Sequence, residues 1–204
     1  MLSRTTSPRT ARTMLILRAM VAAIAAAVVT FAQDRSGDFA LIVFLAFLIV
    51  TLVVLVVEMV LRGFSAPRWA LALAYALGVL LVVALPGESG ARFHFALLIW
   101  AASAGIVELA AGLVHRGSAE SRDRLTVGAL TCVLAIVTLL VSPAYSLDYF
   151  VEEAGQSFTL TGTIIGVGLF GGWAAIVAVY LGIGALSPAQ KTVVAETAVT
   201  KDAS

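Results

Sequence analysis

A carboxylate stands well inside an apolar run in the stretch Gly105–Pro143. The residue is Glu108, and Ala101, Gly105, Glu108, Gly112 and His115 follow one another at spacings of 4, 3, 4 and 3. In a helix this spacing puts all five on one face. Small residues there let a neighbouring helix come close, so the acid faces protein rather than lipid. An ionised carboxylate in hydrocarbon is costly, so such a group pairs, takes up a proton or lines a wet cavity. On its own helix the next basic groups are His115 and Arg116, roughly 10 Å away at 1.5 Å per residue. Burial without a compensating cation favours the neutral acid. The expectation is that Glu108 holds or shares a proton near neutral pH and is the proton-titrating residue of the bundle. The alternative is a structural acid hydrogen-bonded to a neighbouring helix.

Other polar residues invite simpler readings. Glu58 and Arg62 are four apart, acid first, a favourable helical ion pair. Arg18 should lie at similar depth on the preceding span, so Arg18, Glu58 and Arg62 form an expected ion-pair group, with Arg18 also able to reach the headgroups. Gly105 and Gly112 mark a close-packing face, and so do Gly162, Gly166, Gly168 and Gly172 in two Gly-xxx-Gly stripes. That last face packs inside the monomer, packs against a second copy or serves as a hinge. His94 and His115 sit at opposite ends of one helix with no acid or cysteine cluster beside either, so no metal site is expected. The one cysteine, Cys132, lies mid-span and reads as a packing residue. No phosphate-cradling loop and no nucleophile elbow is present. No catalysis and no cofactor are expected.

The elements that position these residues follow from composition. Of 204 residues, 61% are hydrophobic and 12% charged, whereas soluble domains carry about 25% charged residues. Six runs reach the roughly 20 residues needed to cross a bilayer: Met14–Gln33, Phe39–Leu61, Trp69–Leu85, Phe93–Val114, Leu125–Val141 and Leu160–Leu186. The fold class is therefore an all-α polytopic membrane protein of six transmembrane helices, spanning residues 14–186. Residues 1–13 and 187–204 read as disordered tails. A basic start before an Ala-rich run also fits a cleavable signal peptide, though the length of that run and the spans that follow favour a first helix. The connection Ala144–Phe158 is the longest, and its Tyr145, Tyr149 and Phe150 suit the lipid interface.

Orientation comes from the basic residues. With the N-terminus inside, the inner segments hold Arg4, Arg9, Arg12, Arg18, Arg62, Arg68, Arg116, Arg122, Arg124, Lys191 and Lys201, and the outer ones only Arg35 and Arg92. Both termini are then cytoplasmic in a cell (inner) membrane, with the arginines on anionic headgroups rather than nucleic acid.

The chain also repeats itself. Residues 75–86, YALGVLLVVALP, align without gaps on residues 132–143, CVLAIVTLLVSP. The expected plan is three tandem helical hairpins. Gly105-Ile106-Val107-Glu108 with Arg116, then Gly128-Ala129-Leu130 leading to Pro143, then Gly166 through Leu186 with Gly171-Gly172-Trp173, resemble the HdeD-like acid-resistance membrane proteins of bacteria. The resemblance implies six helices and a link to acid or envelope stress, and no defined chemistry. Besides that role, two others fit: a small transporter or channel with Glu108 in its pathway, and a scaffold subunit packing on a membrane-protein partner through the sixth span.

Overall fold

Each apolar run folds as a helix because only internally bonded backbone is tolerated in hydrocarbon. The computed structural model describes residues 8–114, 117, 119–152 and 155–187. Its elements in order are α1 (Pro8–Phe31), α2 (Gly37–Arg62), α3 (Ala66–Ala84), α4 (Ser89–Val114), α5 (Ala119–Leu140), β1 (Ser146–Val151), β2 (Gln156–Thr161) and α6 (Gly162–Leu186). Among the described residues, six helices are long and apolar enough to cross a membrane. Polar residues set their ends. Asp34 accepts from the Ser36 backbone at 2.7 Å, and Ser36 in turn caps α2 by accepting from the Phe39 N–H. Pro67 lies in the first turn of α3, where its missing N–H costs nothing. Gly63 joins α2 to α3 at φ 86°, which a side chain would disfavour.

Two expectations about boundaries change. Residues 8–13 belong to α1 rather than to a disordered tail. Residues 1–7 and 188–204 lie outside the described residues, as do His115 and Arg116. The long connection is an antiparallel hairpin, Ser146↔Thr161 through Val151↔Gln156, so α6 starts at Gly162 rather than Leu160. Tyr149 stacks across the strands on Phe158, with ring centroids 6.0 Å apart. Strand alternation groups Leu147, Tyr149, Phe158 and Leu160 on one face and puts Phe150 on the other with Asp148.

The packing shows three hairpins arranged cyclically. α2, α4 and α6 touch one another at the centre. The odd helices fill the grooves outside them: α1 between α6 and α2, α3 between α2 and α4, α5 between α4 and α6. The closest seams are α4 with α5 and α1 with α6. Between α4 and α5 the glycines let backbones meet. A Cβ on Gly105 would lie 2.9 Å from the Cys132 N, one on Gly112 3.0 Å from the Leu125 N, and one on Gly128 2.7 Å from the Leu109 N. Between α1 and α6, a Cβ on Gly171 would meet the Val29 Cβ at 3.0 Å.

The sixth span divides its glycines differently from the expectation. Gly162 packs on Pro143, and a Cβ on Gly166 would meet the Phe93 ring at 3.2 Å. Gly168 and Gly172 have nothing within 4 Å of such a Cβ. The outward stripe is Gly168-xxx-Gly172, and the packed glycine next to it is Gly171.

Gly128→Leu and Gly171→Leu are expected to cost about 1–3 kcal/mol or more by overpacking, whereas Gly168→Leu and Gly172→Leu stay within about 0.5 kcal/mol of wild type. Unfolding in detergent, followed by circular dichroism, separates the two groups. Equal losses in both would contradict this packing.

Candidate functional site

The two ends of the bundle are built differently. At the end holding Asp34, Asp38 and Glu88, which we call the acidic end, the central helices converge. A Cβ on Gly37 would lie 2.9 Å from the Ser89 backbone, and one on Gly90 would overlap the Thr163 hydroxyl. Ser89 also donates to the Asp38 carboxylate. The first turns of α2, α4 and α6 are thus in contact.

Below them sits an aromatic cluster with two rings from each of the three central helices, joined by Tyr75 of α3, whose ring lies 5.4 Å from Trp100. Phe44 lies 5.7 Å from Phe93, 5.4 Å from Trp100 and 5.3 Å from Phe170 between ring centroids. Phe47 lies 5.6 Å from Trp100 and 5.7 Å from Trp173, and the two tryptophans are 5.2 Å apart, edge to face. Such contacts add about 0.5–1.5 kcal/mol per pair beyond burial. Trp173 also donates to the Thr131 hydroxyl at 3.2 Å, which ties α6 to α5.

At the opposite, basic end the bundle is hollow. A cavity of about 280 Å³ is lined by residues from all six helices, among them Met14, Leu55, Leu71, Val127 and Leu181. Its charged lining is Arg18, Arg62, Arg68 and Arg124 with Glu58, Glu108, Glu120 and Asp123. Four guanidiniums thus face four carboxylates. This is what a polar cavity at membrane depth demands, since an unpaired charge there is costly.

Glu108 lies at the deep side of this cavity. Its Oε1 accepts from Arg18 Nη2 at 2.5 Å. The Glu108 side chain is only 4% exposed and Arg18 17%. α1 and α4 share no packed seam, so the pair reaches across the bundle. Tyr75 faces the same guanidinium. A smaller hollow of about 20 Å³ beyond Arg18 is lined by Phe47, Thr51, Tyr75 and Trp173, and Tyr75 links the pair to the aromatic cluster.

The sequence-level premise for a neutral Glu108 therefore fails. The cation missing from its own helix is supplied by α1, whose Arg18 lies 2.5 Å from the acid. Arg18 stands with Glu108 and not with Glu58. Glu58 and Arg62 do pair, at 2.6 Å. His115 lies outside the described residues, and His94 is at the acidic end, edge-on to Phe95 at 5.6 Å. Among the described residues, no three His, Cys, Asp or Glu gather as metal ligands would.

Four site residues were not singled out from the sequence. Glu120 accepts from Arg62 at 2.9 Å and from Arg124 at 2.8 Å, and Arg68 Nη2 lies 4.0 Å away. Asp123 accepts from the Tyr180 hydroxyl at 3.2 Å. Glu120 and Arg124 are four apart, the same signal that revealed Glu58 and Arg62. Arg68 and Asp123 gave no comparable local signal.

Comparison of the chain with protein-family models, with curated proteins and with solved structures returns no match. The site is therefore read from its own chemistry.

Glu108→Gln removes the acid's charge and leaves Arg18 buried without a counter-charge. The expected loss is about 3–5 kcal/mol, and Arg18→Met with Glu108→Leu recovers most of it. Thermal unfolding of the single and double variants in detergent gives the coupling. A Glu108→Gln protein as stable as wild type would contradict the pairing.

Proposed function

We propose that the protein is a small non-enzymatic carrier of the cell membrane, taking a charged polar solute into the six-helix cavity from the cytoplasm. The observation that carries this reading is the contrast between the ends: hollow and charged at one, in contact and aromatic-filled at the other. That shape is what the inward-facing state of an alternating-access carrier requires, with its site between repeats. The basic end is assigned to the cytoplasm by the arginine bias, with its outermost arginines on anionic lipid headgroups. A cavity of about 280 Å³ lies just below the usual size of ligand sites, roughly 300 to 1,000 Å³, and suits a small solute. Its polar lining is arginine and carboxylate, suited to holding charge rather than to nucleophilic attack.

The packing supplies a route for motion. α1 pairs tightly with α6, and α4 with α5, while the α5–α6 seam between these pairs is thinner. Rocking of one pair against the other would open the acidic end and close the basic one. The scaffold reading draws less support, because its one observation is the open face at Gly168 and Gly172.

A second reading keeps the acid-stress role implied by the HdeD-like resemblance. It is favoured by the Arg18–Glu108 pair, the link between α1 and α4 that a proton taken up by Glu108 would cut. Here the bundle loosens in acid instead of carrying a solute.

Cysteine accessibility tests the carrier. In a Cys132→Ala background, Leu71→Cys on the cavity wall is expected to react with a membrane-impermeant thiol reagent from the cytoplasmic side and not from outside. Ala40→Cys, buried on α2 at the acidic end, is expected to react slowly from outside as the carrier turns over. No reaction at position 40 from outside contradicts the carrier and leaves the acid-sensing reading. No reaction at position 71 from the cytoplasmic side contradicts an open cavity.

A further inference from the structure

Three of the cavity's guanidiniums converge on one carboxylate. Arg62, Arg68 and Arg124 come from α2, α3 and α5, and each turns a terminal nitrogen towards Glu120. The partners are unequally buried. The side chains of Arg62, Arg68 and Arg124 are 9%, 14% and 17% exposed, and that of Glu120 is 45% exposed. The cations are held by the wall, and the anion is the member within reach of solvent.

The arginines are also fixed from behind. Glu58 holds Arg62 at 2.6 Å and stands 3.4 Å from Arg68, and Arg68 donates to the Gly63 carbonyl at 2.9 Å. The Nε of Arg62 is buried without a hydrogen bond and that of Arg68 faces Glu58, so the inner side of both guanidiniums is held in the wall and their terminal nitrogens are turned to Glu120. A second hollow of about 240 Å³ shares Arg68, Glu120 and Arg124 with the main cavity, so Glu120 stands between two open spaces.

Pre-positioned guanidiniums recognise carboxylate and phosphate groups through paired N–H donors. We propose that Arg62, Arg68 and Arg124 form a cradle for an anionic group, a carboxylate or a phosphate, and that Glu120 is its internal occupant, displaced when the ligand binds. With Glu120 in place, three positive charges face two negative ones, Glu58 and Glu120. With Glu120 swung out, they face Glu58 alone, and an anion of one or two charges restores the balance. The assignment rests on the carrier reading for its solute but not for its binding chemistry. It narrows the charged polar solute to one bearing an acidic group.

The test is equilibrium binding to the full chain in detergent at low ionic strength. Inorganic phosphate and dihexanoyl phosphatidylglycerol are the two probes, the first for a free anion and the second for a lipid headgroup. Glu120→Gln empties the cradle of its competing charge. It is expected to bind one of the probes roughly tenfold more tightly than wild type, and adding Arg124→Gln is expected to abolish the gain. Equal affinity in wild type and Glu120→Gln for both probes, or a gain that survives Arg124→Gln, overturns the proposal. If Glu120→Gln loses the fold, Arg124→Gln alone serves: it must weaken the protection that the probes give wild type against thermal unfolding, and unchanged protection overturns the cradle. Anion binding without solute flux in liposomes would leave the cradle standing and sink the carrier. Flux without this binding preference would do the reverse.

Discussion

Charge inside hydrocarbon must be matched by charge, and the basic end of this bundle is arranged by that requirement. The Arg18–Glu108 pair is its clearest expression, because the two residues come from helices that do not pack together. The pair fixes the depth of α1 against α4, and it marks the deep side of the cavity. Nearer the mouth, Glu58 and Glu120 do the same for Arg62, Arg68 and Arg124. Replacing a buried pair with apolar groups would often cost nothing in stability. What the apolar alternative would lose is the polar hollow itself, which is why we read these charges as functional.

Away from that end the bundle holds together by shape. Lipid tails are as apolar as leucine, so burial alone does not drive the helices together, and close fit has to supply the attraction. The α4–α5 seam meets this through Gly105, Gly112 and Gly128, which bring backbone against backbone. The central helices meet it through interlocked aromatic rings, two each from α2, α4 and α6. Equal contributions from the three even helices match the cyclic placement of three hairpins. The result is a bundle closed by packing at one end and propped open by ion pairs at the other.

The spans and their number were legible because composition alone demands them, and the three-hairpin plan followed from the repeat. The Glu58–Arg62 pair was legible because both residues sit on one helix at a fixed spacing. Arg18 and Glu108 are ninety residues apart, and nothing local announces their meeting. Glu108 looked as if it lacked a cation for the same reason, since only those on the acid's own helix were visible and Arg18 lies on another. The sixth span is apolar all round, so periodicity does not choose its buried face. Gly168 and Gly172 therefore looked equivalent to Gly162 and Gly166. The strand pair carries a signal in the alternation of Leu147 and Tyr149 with polar neighbours, but the alternation is short and Phe150 breaks it.

Infrared difference spectroscopy between wild type and Glu108→Gln at neutral pH tests the central pairing most directly. If Glu108 is ionised against Arg18, the difference contains the carboxylate stretches of one side chain and no protonated carboxyl band. A protonated carboxyl band that vanishes in Glu108→Gln would show a neutral acid, and the account of an ion pair spanning the bundle would be wrong.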